Sequence, residues 1–211
     1  THLEYVLILF ISRVKCLIKM LSIMCNDKIL PEYKTGFSLK NKIYRLSWSI
    51  VYVLLFRPFS GGVFRKWRNF LLRLFGAHIG CRSIVYSSAR IWMPCHLQLG
   101  RASCIGPNVF CYNPSMIHIG DKVTVSQNSY LCGGSHDISD LALGFVTKPI
   151  EIRDYAWICA NCFIMMGVKI DEGCIIGATS SLFKSTEPWC VYGGNPAKFI
   201  KKRILKGDNQ D

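Results

Sequence analysis

Charged residues are scarce in this chain of 211 residues: only 18% are charged, whereas 50% are hydrophobic. This balance excludes a disordered chain, and the length predicts one domain with a sizeable core plus an appendage. Acidic residues are scarcest at the two ends. Residues 1–78 contain 13 Lys or Arg against 3 Asp or Glu, residues 191–211 contain 5 against 2, and residues 79–190 contain 8 of each. Because the middle is neutral, the net charge of +13 favours an anionic membrane surface or a phosphate-bearing ligand over nucleic acid.

The chain also lacks an uninterrupted apolar run long enough to span a membrane. The N-terminal candidate, LEYVLILFISRVKCLIKMLSIMC, is interrupted by Arg13, Lys15 and Lys19, whereas a span needs about 20 predominantly apolar residues. No basic segment precedes this run and no small-residue cleavage site follows it, so a signal peptide is not predicted. We treat residues 1–23 as an uncertain extension, and Met20 or Met24 is an alternative start.

The 11 cysteines do not form an even set, as a complete disulfide framework would require. We expect reduced thiols that serve as small apolar side chains, as in a cytosolic protein, and neither a disulfide framework nor a zinc ribbon.

A six-residue period runs from residue 79 to residue 187. Fourteen of its fifteen positions are Ile, Leu or Val, and none of the fifteen positions one residue further along is. The positions are Ile79, Val85, Ile91, Leu99, Ile105, Cys111, Ile119, Val125, Leu131, Ile152, Ile158, Ile164, Ile170, Ile176 and Leu182. Four residues after each of them stands a small or β-branched residue. Neither a helix face nor strand alternation has this period, whereas a three-faced solenoid built from hexapeptides does.

Slips in the period show where the solenoid carries insertions. Two extra residues follow Ile91 and again Cys111, and fifteen extra residues follow Leu131. The long insertion contains GGSHDISDLALGFVTKP and places His136 at its mouth. We therefore predict a mainly β fold with a parallel β-helix of about five coils over residues 79–187 and a protruding loop over residues 133–150. A helical arm (24–78) precedes the β-helix, and a tail (188–211) with a short C-terminal helix follows it.

The hexapeptides, together with LLFRPFSGGVFRKWRNFLLRLFGAHIG, GSHDISD, IEIRDYAWICANCFI and VYGGNPAKFIKKR, resemble the hexapeptide-repeat acyltransferases. The likeness covers about residues 45–203 and is strongest to acetyltransferases of the colanic-acid-biosynthesis type. It implies a left-handed β-helix, a homotrimer, acetyl-CoA as co-substrate without a metal, and transfer of acetyl to a sugar hydroxyl in exopolysaccharide biosynthesis. Acetylation of free sugars or other small hydroxyl acceptors, and a non-catalytic scaffold, are the alternatives.

The resemblance also implies roles for individual residues. His136 is the expected general base, a role that suits a side chain with a pKa near neutrality. Asp137 orients it or caps the turn, and Asn113 contacts the acceptor or forms an Asn-Pro turn. Coenzyme A would contact the residues Trp157, Ala160, Ala178, Lys198 and Lys202. A histidine metal site of the carbonic anhydrase kind is not expected, because His96 and His136 lie two coils apart.

The arm admits two interpretations. Its first apolar run, LSWSIVYVLLF, has 11 residues and is too short to span a bilayer. Its second segment places Trp67, Phe70, Leu71 and Leu74 on one helical face, which either caps the open end of the β-helix or lies in a membrane interface. We expect a cytoplasmic enzyme with a sugar or lipid-linked glycan acceptor and no nucleic acid partner. Whether the arm also holds it at the inner membrane face stays open.

Overall fold

The computed structural model describes residues 37–206, which include a three-faced parallel β-solenoid. Face 1 consists of β1 (His78–Ile79), β4 (Leu97–Leu99), β7 (Ile117–Ile119), β12 (Ile150–Ile152) and β15 (Lys169–Ile170). Face 2 consists of β2 (Ile84–Val85), β5 (Cys104–Ile105), β8 (Thr124–Val125), β13 (Trp157–Ile158), β16 (Ile175–Ile176), β18 (Cys190–Gly193) and β19 (Lys198–Lys202). Face 3 consists of β3 (Arg90–Ile91), β6 (Phe110–Tyr112), β9 (Tyr130–Cys132), β14 (Phe163–Met165) and β17 (Ser181–Leu182).

The predicted solenoid is therefore confirmed, with about six coils where five were predicted. The additional rung is β18, which pairs in parallel with β16 on face 2. It comes after the last hexapeptide, in a segment whose sequence has left the six-residue pattern.

The interior follows the hexapeptide pattern closely. All fifteen aliphatic positions are buried, so each coil contributes three side chains to one shared core. Burying an aliphatic side chain contributes about 1.5–3 kcal/mol, and stacking coils is the means by which each short strand obtains that burial. Of the fifteen small positions, twelve are buried; the three that are partly exposed are Cys95, Ser115 and Ser135. These three follow face 3, at the corner where the insertions leave the solenoid.

The corner that connects face 2 to face 3 uses a left-handed backbone conformation. Asn108, Asn128 and Asn161 occupy this corner in successive coils with φ of 56°, 59° and 59°. Asparagine tolerates this region better than most residues, because its short polar side chain bonds locally. The repeated turn lets consecutive strands change direction within a few residues.

The arm is helical, as predicted. Helix α1 (Leu39–Val51) continues into a π-helical turn (Tyr52–Phe56), and helix α2 (Arg65–Leu74) follows. Residues 1–23 and the beginning of the predicted arm lie outside the described residues. None of the helices within residues 37–206 is long and apolar enough to cross a membrane.

Helix α2 caps the first coil, but through a different face from the one predicted. Arg68 Nε donates to Val85 O at 2.9 Å and Asn69 Nδ2 donates to Ser83 O at 2.9 Å. Leu71 and Leu72 are buried beside them, whereas Trp67, Phe70 and Leu74 are exposed. Among the described residues no strand precedes the first coil, so its carbonyl groups take hydrogen bonds from donors on the inward face of α2.

The C-terminal segment is a strand, so the predicted short helix is wrong for the part that the structure describes. The chain reverses at residues 194–197, and β19 pairs antiparallel with β18, placing Lys198 opposite Gly193 and Lys202 opposite Cys190. The open edge of β18 offers unpaired backbone groups, and a strand satisfies them where a helix would not.

Candidate functional site

His136 lies on a two-stranded hairpin that leaves the solenoid after face 3. The hairpin consists of β10 (Gly134–His136) and β11 (Phe145–Thr147), which pair antiparallel and place His136 opposite Phe145. The two rings meet edge to face with centroids 5.7 Å apart, and the imidazole is partly exposed. The histidine is thus carried by a paired strand beside the solenoid, where a substrate can reach it.

Gly134 allows the first strand of the hairpin to pass close to the side chains of Phe145 and Pro114. A β-carbon at this position would lie 2.8 Å from the Phe145 ring and 2.8 Å from the Pro114 side chain. Any other residue would push these groups apart and rotate the strand that holds His136. The glycine is therefore a packing requirement of the site.

The tip of the loop, Asp137–Gly144, does not belong to the compact unit that contains the solenoid. The Asp137 N–H donates to Gly144 O at 2.9 Å, and Asp137 Oδ1 accepts from Ser139 N at 2.9 Å and from Ser139 Oγ at 2.6 Å. These bonds from Ser139 lower the pKa of Asp137. Asp140 Oδ1 accepts from Ala142 N at 2.9 Å. Both carboxylates thus cap local turns, which is the second of the two roles considered for Asp137.

The side chain of Asn113 is enclosed by the protein and is not exposed to a ligand. Its side chain is fully buried; Oδ1 accepts from Met93 N at 2.8 Å, and Nδ2 donates to Met93 O at 2.7 Å. Its backbone oxygen also lies 3.2 Å from His96 Nδ1. Because the amide is occupied by the preceding coil, this geometry favours a corner-bridging role over contact with an acceptor.

Three of the predicted coenzyme residues lie on or beside face 2. Trp157, on β13, is 46% exposed, and its Nε1–H donates to Ser126 Oγ in the preceding coil at 2.9 Å. Ala160 and Ala178 occupy the same corner one coil apart, and Ala160 O accepts from Thr179 N at 2.9 Å. The bond to Ser126 orients the indole, and the small alanine side chains leave the corner open to an extended ligand.

The basic tail continues the same face. Lys198 and Lys202 are exposed on β19, and the strand order β13, β16, β18, β19 separates them from Trp157 by three strand spacings, about 14 Å. Arg203 has another role: its Nη1 donates to Gly173 O at 2.8 Å and to Tyr155 O at 3.0 Å. The lysines therefore remain available for phosphate groups, whereas the arginine closes the last coil.

A cluster of aromatic rings that was not predicted from the sequence lies beside the His136 hairpin. Phe37 lies 5.2 Å from Phe145 and 5.3 Å from Trp92, and Trp92 lies 5.2 Å from Tyr112, measured between ring centroids. The Arg45 guanidinium stacks over Trp92 at 4.4 Å. A Trp at the position after an interior aliphatic, where successive coils have Tyr112 and Cys132, was the only sequence signal. Arg45 and Phe37 gave none, because their proximity depends on how the arm folds back.

Most of the cysteines within residues 37–206 are buried or partly buried thiols, and Cys81 is exposed. All nine cysteines between residues 37 and 206 are free. One pair, Cys159 and Cys162, has CxxC spacing; Cys162 is buried in the solenoid, and its Sγ donates to Gly177 O at 3.1 Å. Burial raises the pKa of Cys104, Cys159 and Cys162, and raises that of Cys111 to about 12. No group of three or more potential metal ligands occurs within residues 37–206.

A curated relative is similar to this chain over most of its length. No protein-family model matches the sequence. The chain is 39% identical over 169 residues to WcaF of Escherichia coli K12, described as a colanic acid biosynthesis acetyltransferase, covering 80% of this chain and 92% of WcaF.

Solved structures share the fold. A hexapeptide-repeat acetyltransferase of Vibrio cholerae in complex with acetyl coenzyme A superposes with a TM-score of 0.72 and 23% identity, covering 85% of this chain and 98% of that one. A galactoside acetyltransferase in complex with coenzyme A also gives a TM-score of 0.72, with 24% identity, covering 80% of this chain and 84% of that one.

Proposed function

Because the chain belongs to the colanic acid biosynthesis acetyltransferases represented by WcaF, we propose that it transfers the acetyl group of acetyl-CoA to a sugar hydroxyl during exopolysaccharide assembly. The family establishes an acetyltransferase; the sugar acceptor and the exopolysaccharide role are the proposal. The observation that carries it is the partly exposed His136 on a hairpin outside the solenoid core. It is supported further by the galactoside acetyltransferase, which shares the fold.

The chemistry requires one proton acceptor and two aligned substrates. An imidazole nitrogen of His136 takes the proton of the sugar hydroxyl as its oxygen attacks the thioester carbonyl carbon. The carbon–sulfur bond then breaks, and the departing sulfur receives the proton from the imidazolium. The products are an acetyl ester and the free thiol, so atoms and charge balance. Asp137 was proposed to orient the imidazole, but its bonds to Ser139 assign it first to the turn.

The transfer is direct, without an acetyl-enzyme. No cysteine occurs between Gly133 and Pro149. Elsewhere burial raises the pKa of Cys104, Cys111 and Cys162, which keeps these thiols protonated and weakly nucleophilic. We propose that Trp157, Ala160 and Ala178 contact the pantetheine arm of coenzyme A, and that Lys198 and Lys202 contact its phosphates. Their placement along face 2 fits an extended ligand.

Replacement of His136 tests the mechanism. His136→Ala should lower kcat by about 10²-fold or more, as the loss of a general base does, with the Kd of acetyl-CoA nearly unchanged. His78→Ala, an exposed histidine on β1, is the matched control and should retain activity. Unchanged turnover in His136→Ala would assign the chemistry to another residue. A burst of free coenzyme A in the absence of any acceptor would contradict direct transfer.

We propose that the working unit is a homotrimer. The coenzyme residues lie on an open face of one solenoid, and a second copy would supply the opposite wall of the cleft. Size-exclusion chromatography with light scattering should give three times the chain mass. A stable monomer that retains full activity would contradict this assembly.

We also propose that the arm contacts the anionic face of the inner membrane. Its exposed apolar residues are together called here the apolar arm surface: Leu39, Ile43, Leu46, Ile50, Val53, Leu54, Val63, Phe64, Trp67, Phe70 and Leu74. On α1 they recur every three or four residues, which is the spacing of one helix face. No Asp or Glu occurs between Glu32 and Asp121, and residues 37–78 contain eight Lys or Arg. All charged residues of the described part of the arm are thus basic, which complements an anionic lipid headgroup layer.

Vesicle co-sedimentation separates membrane contact from burial between subunits. The protein should co-sediment with vesicles of phosphatidylcholine and phosphatidylglycerol at low salt, and much less with phosphatidylcholine alone, because each basic residue near an anionic surface contributes about 1 kcal/mol. Equal binding to both vesicles would contradict a role for the anionic headgroups, and no binding at low salt would indicate that the apolar arm surface is covered by other copies of the chain.

A further inference from the structure

A cleft of about 310 Å³ lies between helix α1 and the first coils of face 3. Arg45, Trp48 and Tyr52 line it from the arm, and Arg90 and Trp92 line it from the solenoid. We call it the arginine cleft. Its volume falls at the lower end of the range of about 300–1,000 Å³ for small-molecule sites. It is separate from face 2, where the coenzyme residues are proposed to lie.

The two arginines bring positive charge into the cleft without a counter-charge. No Asp or Glu lines it, and within residues 37–206 neither Arg45 nor Arg90 forms an ion pair with a carboxylate. Arg90 is also close enough to Tyr52 to affect its pKa. Burial raises the pKa of the Tyr52 phenol, whereas the charges of Arg57 and Arg90 and a hydrogen bond with Arg90 lower it. The cleft therefore has a net positive charge and is suited to an anion.

The guanidinium of Arg45 is held in one orientation. Its Nε donates to Asn41 Oδ1 at 2.9 Å, and its guanidinium carbon lies over the Trp92 and Phe37 rings, 4.4 Å and 5.1 Å from their centroids. The ring contacts and the bond to Asn41 fix the side chain, and no hydrogen bond from its Nη groups occurs among the described residues. A pre-oriented guanidinium loses little conformational entropy on binding and matches the oxygens of a phosphate group.

The same rings connect the cleft with the proposed general base. Trp92 contacts Phe37, Phe37 contacts Phe145, and Phe145 is the strand partner of His136. Each ring-to-ring step is between 5.2 and 5.7 Å. A ligand whose anionic group lies in the cleft would thus extend along a continuous aromatic wall towards the imidazole.

From this geometry we infer that the arginine cleft binds the phosphate or diphosphate group of the acetyl acceptor. The inference rests on the proposed function, since it takes the acceptor to be a sugar. A diphosphate attached to a sugar has two sources, a nucleoside diphosphate sugar and a lipid diphosphate-linked sugar, and the chemistry in the cleft is shared by both. Aromatic walls beside the arginines would pack equally against a base, a sugar ring or a lipid chain.

Titration calorimetry with inorganic pyrophosphate tests the site without requiring activity. Arg45→Gln and Arg90→Gln should each weaken binding about tenfold or more, because each removes charge-assisted hydrogen bonds to the anion. Lys66→Gln removes one exposed positive charge from α2 and is the matched control, with less than a twofold effect. Equal weakening in all three variants would show that pyrophosphate responds only to net charge, and would overturn the inference. Thermal unfolding of each variant establishes that it is folded.

A competition experiment separates the acceptor from the coenzyme. Saturating acetyl-CoA should leave the pyrophosphate binding that depends on Arg45 and Arg90 unchanged. Loss of this arginine-dependent binding in the presence of acetyl-CoA would mean that the cleft holds the coenzyme diphosphate, which would overturn the assignment to the acceptor.

Kinetics with matched acceptors then identify the source of the phosphate. The sugar that accepts acetyl is compared as the free sugar, as its uridine diphosphate conjugate and as its farnesyl diphosphate conjugate. Arg45→Gln should raise KM for a diphosphate conjugate about tenfold and leave KM for the free sugar unchanged; the conjugate with the larger change is the natural type. An equal change for the free sugar would contradict the inference. If no sugar is acetylated while pyrophosphate binding still depends on both arginines, the proposed function fails and the anion site stands.

Discussion

At the N-terminal end of the solenoid a helix covers the first coil, whereas at the C-terminal end a strand extends the last one. The first coil is closed by side chains: Arg68, Asn69 and Arg73 donate to Val85 O, Ser83 O and Ile79 O. The last coil is closed mainly by backbone, because β19 pairs along β18, and Arg203 adds two bonds to carbonyls of earlier turns. Unpaired edges must be covered in any solenoid, and the two ends show two chemical solutions.

The difference determines what each end presents to its surroundings. A helix that turns its donors inward leaves another face outward, and on α2 that face consists of Trp67, Phe70 and Leu74. A strand that caps through its backbone leaves its side chains free, and on β19 these include Lys198 and Lys202. The N-terminal cap therefore adds an apolar and basic surface, and the C-terminal cap adds a purely basic one beside face 2.

Arg68→Met should give the largest loss of stability at the first cap. Arg68 is 3% exposed and donates to Val85 O, Phe59 O and Gly61 O at 2.6–3.0 Å. A hydrogen bond to a charged group contributes about 1.5–3 kcal/mol, and the carbonyls would lose their partner, so we expect the free energy of unfolding to fall by about 3 kcal/mol. Urea unfolding at fixed protein concentration measures this change.

Arg203→Met is the matched change at the other cap. Arg203 is only partly buried and makes two bonds of 2.8 and 3.0 Å, while β19 keeps its backbone pairing, so the expected loss is about 1 kcal/mol. Arg68→Lys should lose less stability than Arg68→Met, because an ammonium keeps the charge and hydrogen-bond donors. It should not restore full stability, because it lacks the rigid fork of donors with which the guanidinium reaches all three carbonyls. An equal loss at both ends would remove the distinction between a side-chain cap and a backbone cap.

The interior of the solenoid could be predicted from the sequence because its information is local and repeated. Each aliphatic position, such as Ile158, is buried for the same reason as Ile176 one coil later, so the pattern is independent of distant contacts. The corner that carries the hairpin was also predictable, because insertions change the spacing. His136 was located from the length of that insertion together with the family resemblance.

The caps and the acceptor side were less predictable, because they depend on contacts between distant segments. The amphipathic pattern of α2 places Trp67 and Phe70 on one face, but carbonyl groups of the first coil select the face that contains Arg68. Likewise, nothing near residue 45 indicates that Arg45 will stack on Trp92. The sequence of the tail predicts a basic helix, because nothing in it indicates that β18 has an open edge with which β19 can pair.

Replacing two lysines at each end by glutamine tests whether the two basic surfaces have different functions. Lys40→Gln combined with Lys42→Gln should weaken binding to anionic vesicles about thirtyfold, since each charge near the surface contributes about 1 kcal/mol. It should leave KM for acetyl-CoA unchanged. Lys198→Gln combined with Lys202→Gln should raise KM for acetyl-CoA several-fold, the effect of exposed charge pairs, and leave vesicle binding nearly unchanged. If either pair affected both measurements alike, the two basic surfaces would not be specialised.

The smallest expected effect concerns the interior that both caps protect. Cys111 occupies an aliphatic position, is fully buried, and burial raises the pKa of its thiol from 9.0 to about 12. The unfolded thiol ionises first as the pH rises, so between pH 9 and pH 12 the folded state binds more protons and stability falls with pH. One such group contributes a slope of at most about 1.4 kcal/mol per pH unit. Cys111→Val should change stability at pH 7 by less than about 1 kcal/mol, because valine suits this hexapeptide position, and should make the loss between pH 9 and pH 10.5 shallower. Urea unfolding at both pH values measures the slope, and an identical slope in the variant would show that the buried thiol does not contribute to it.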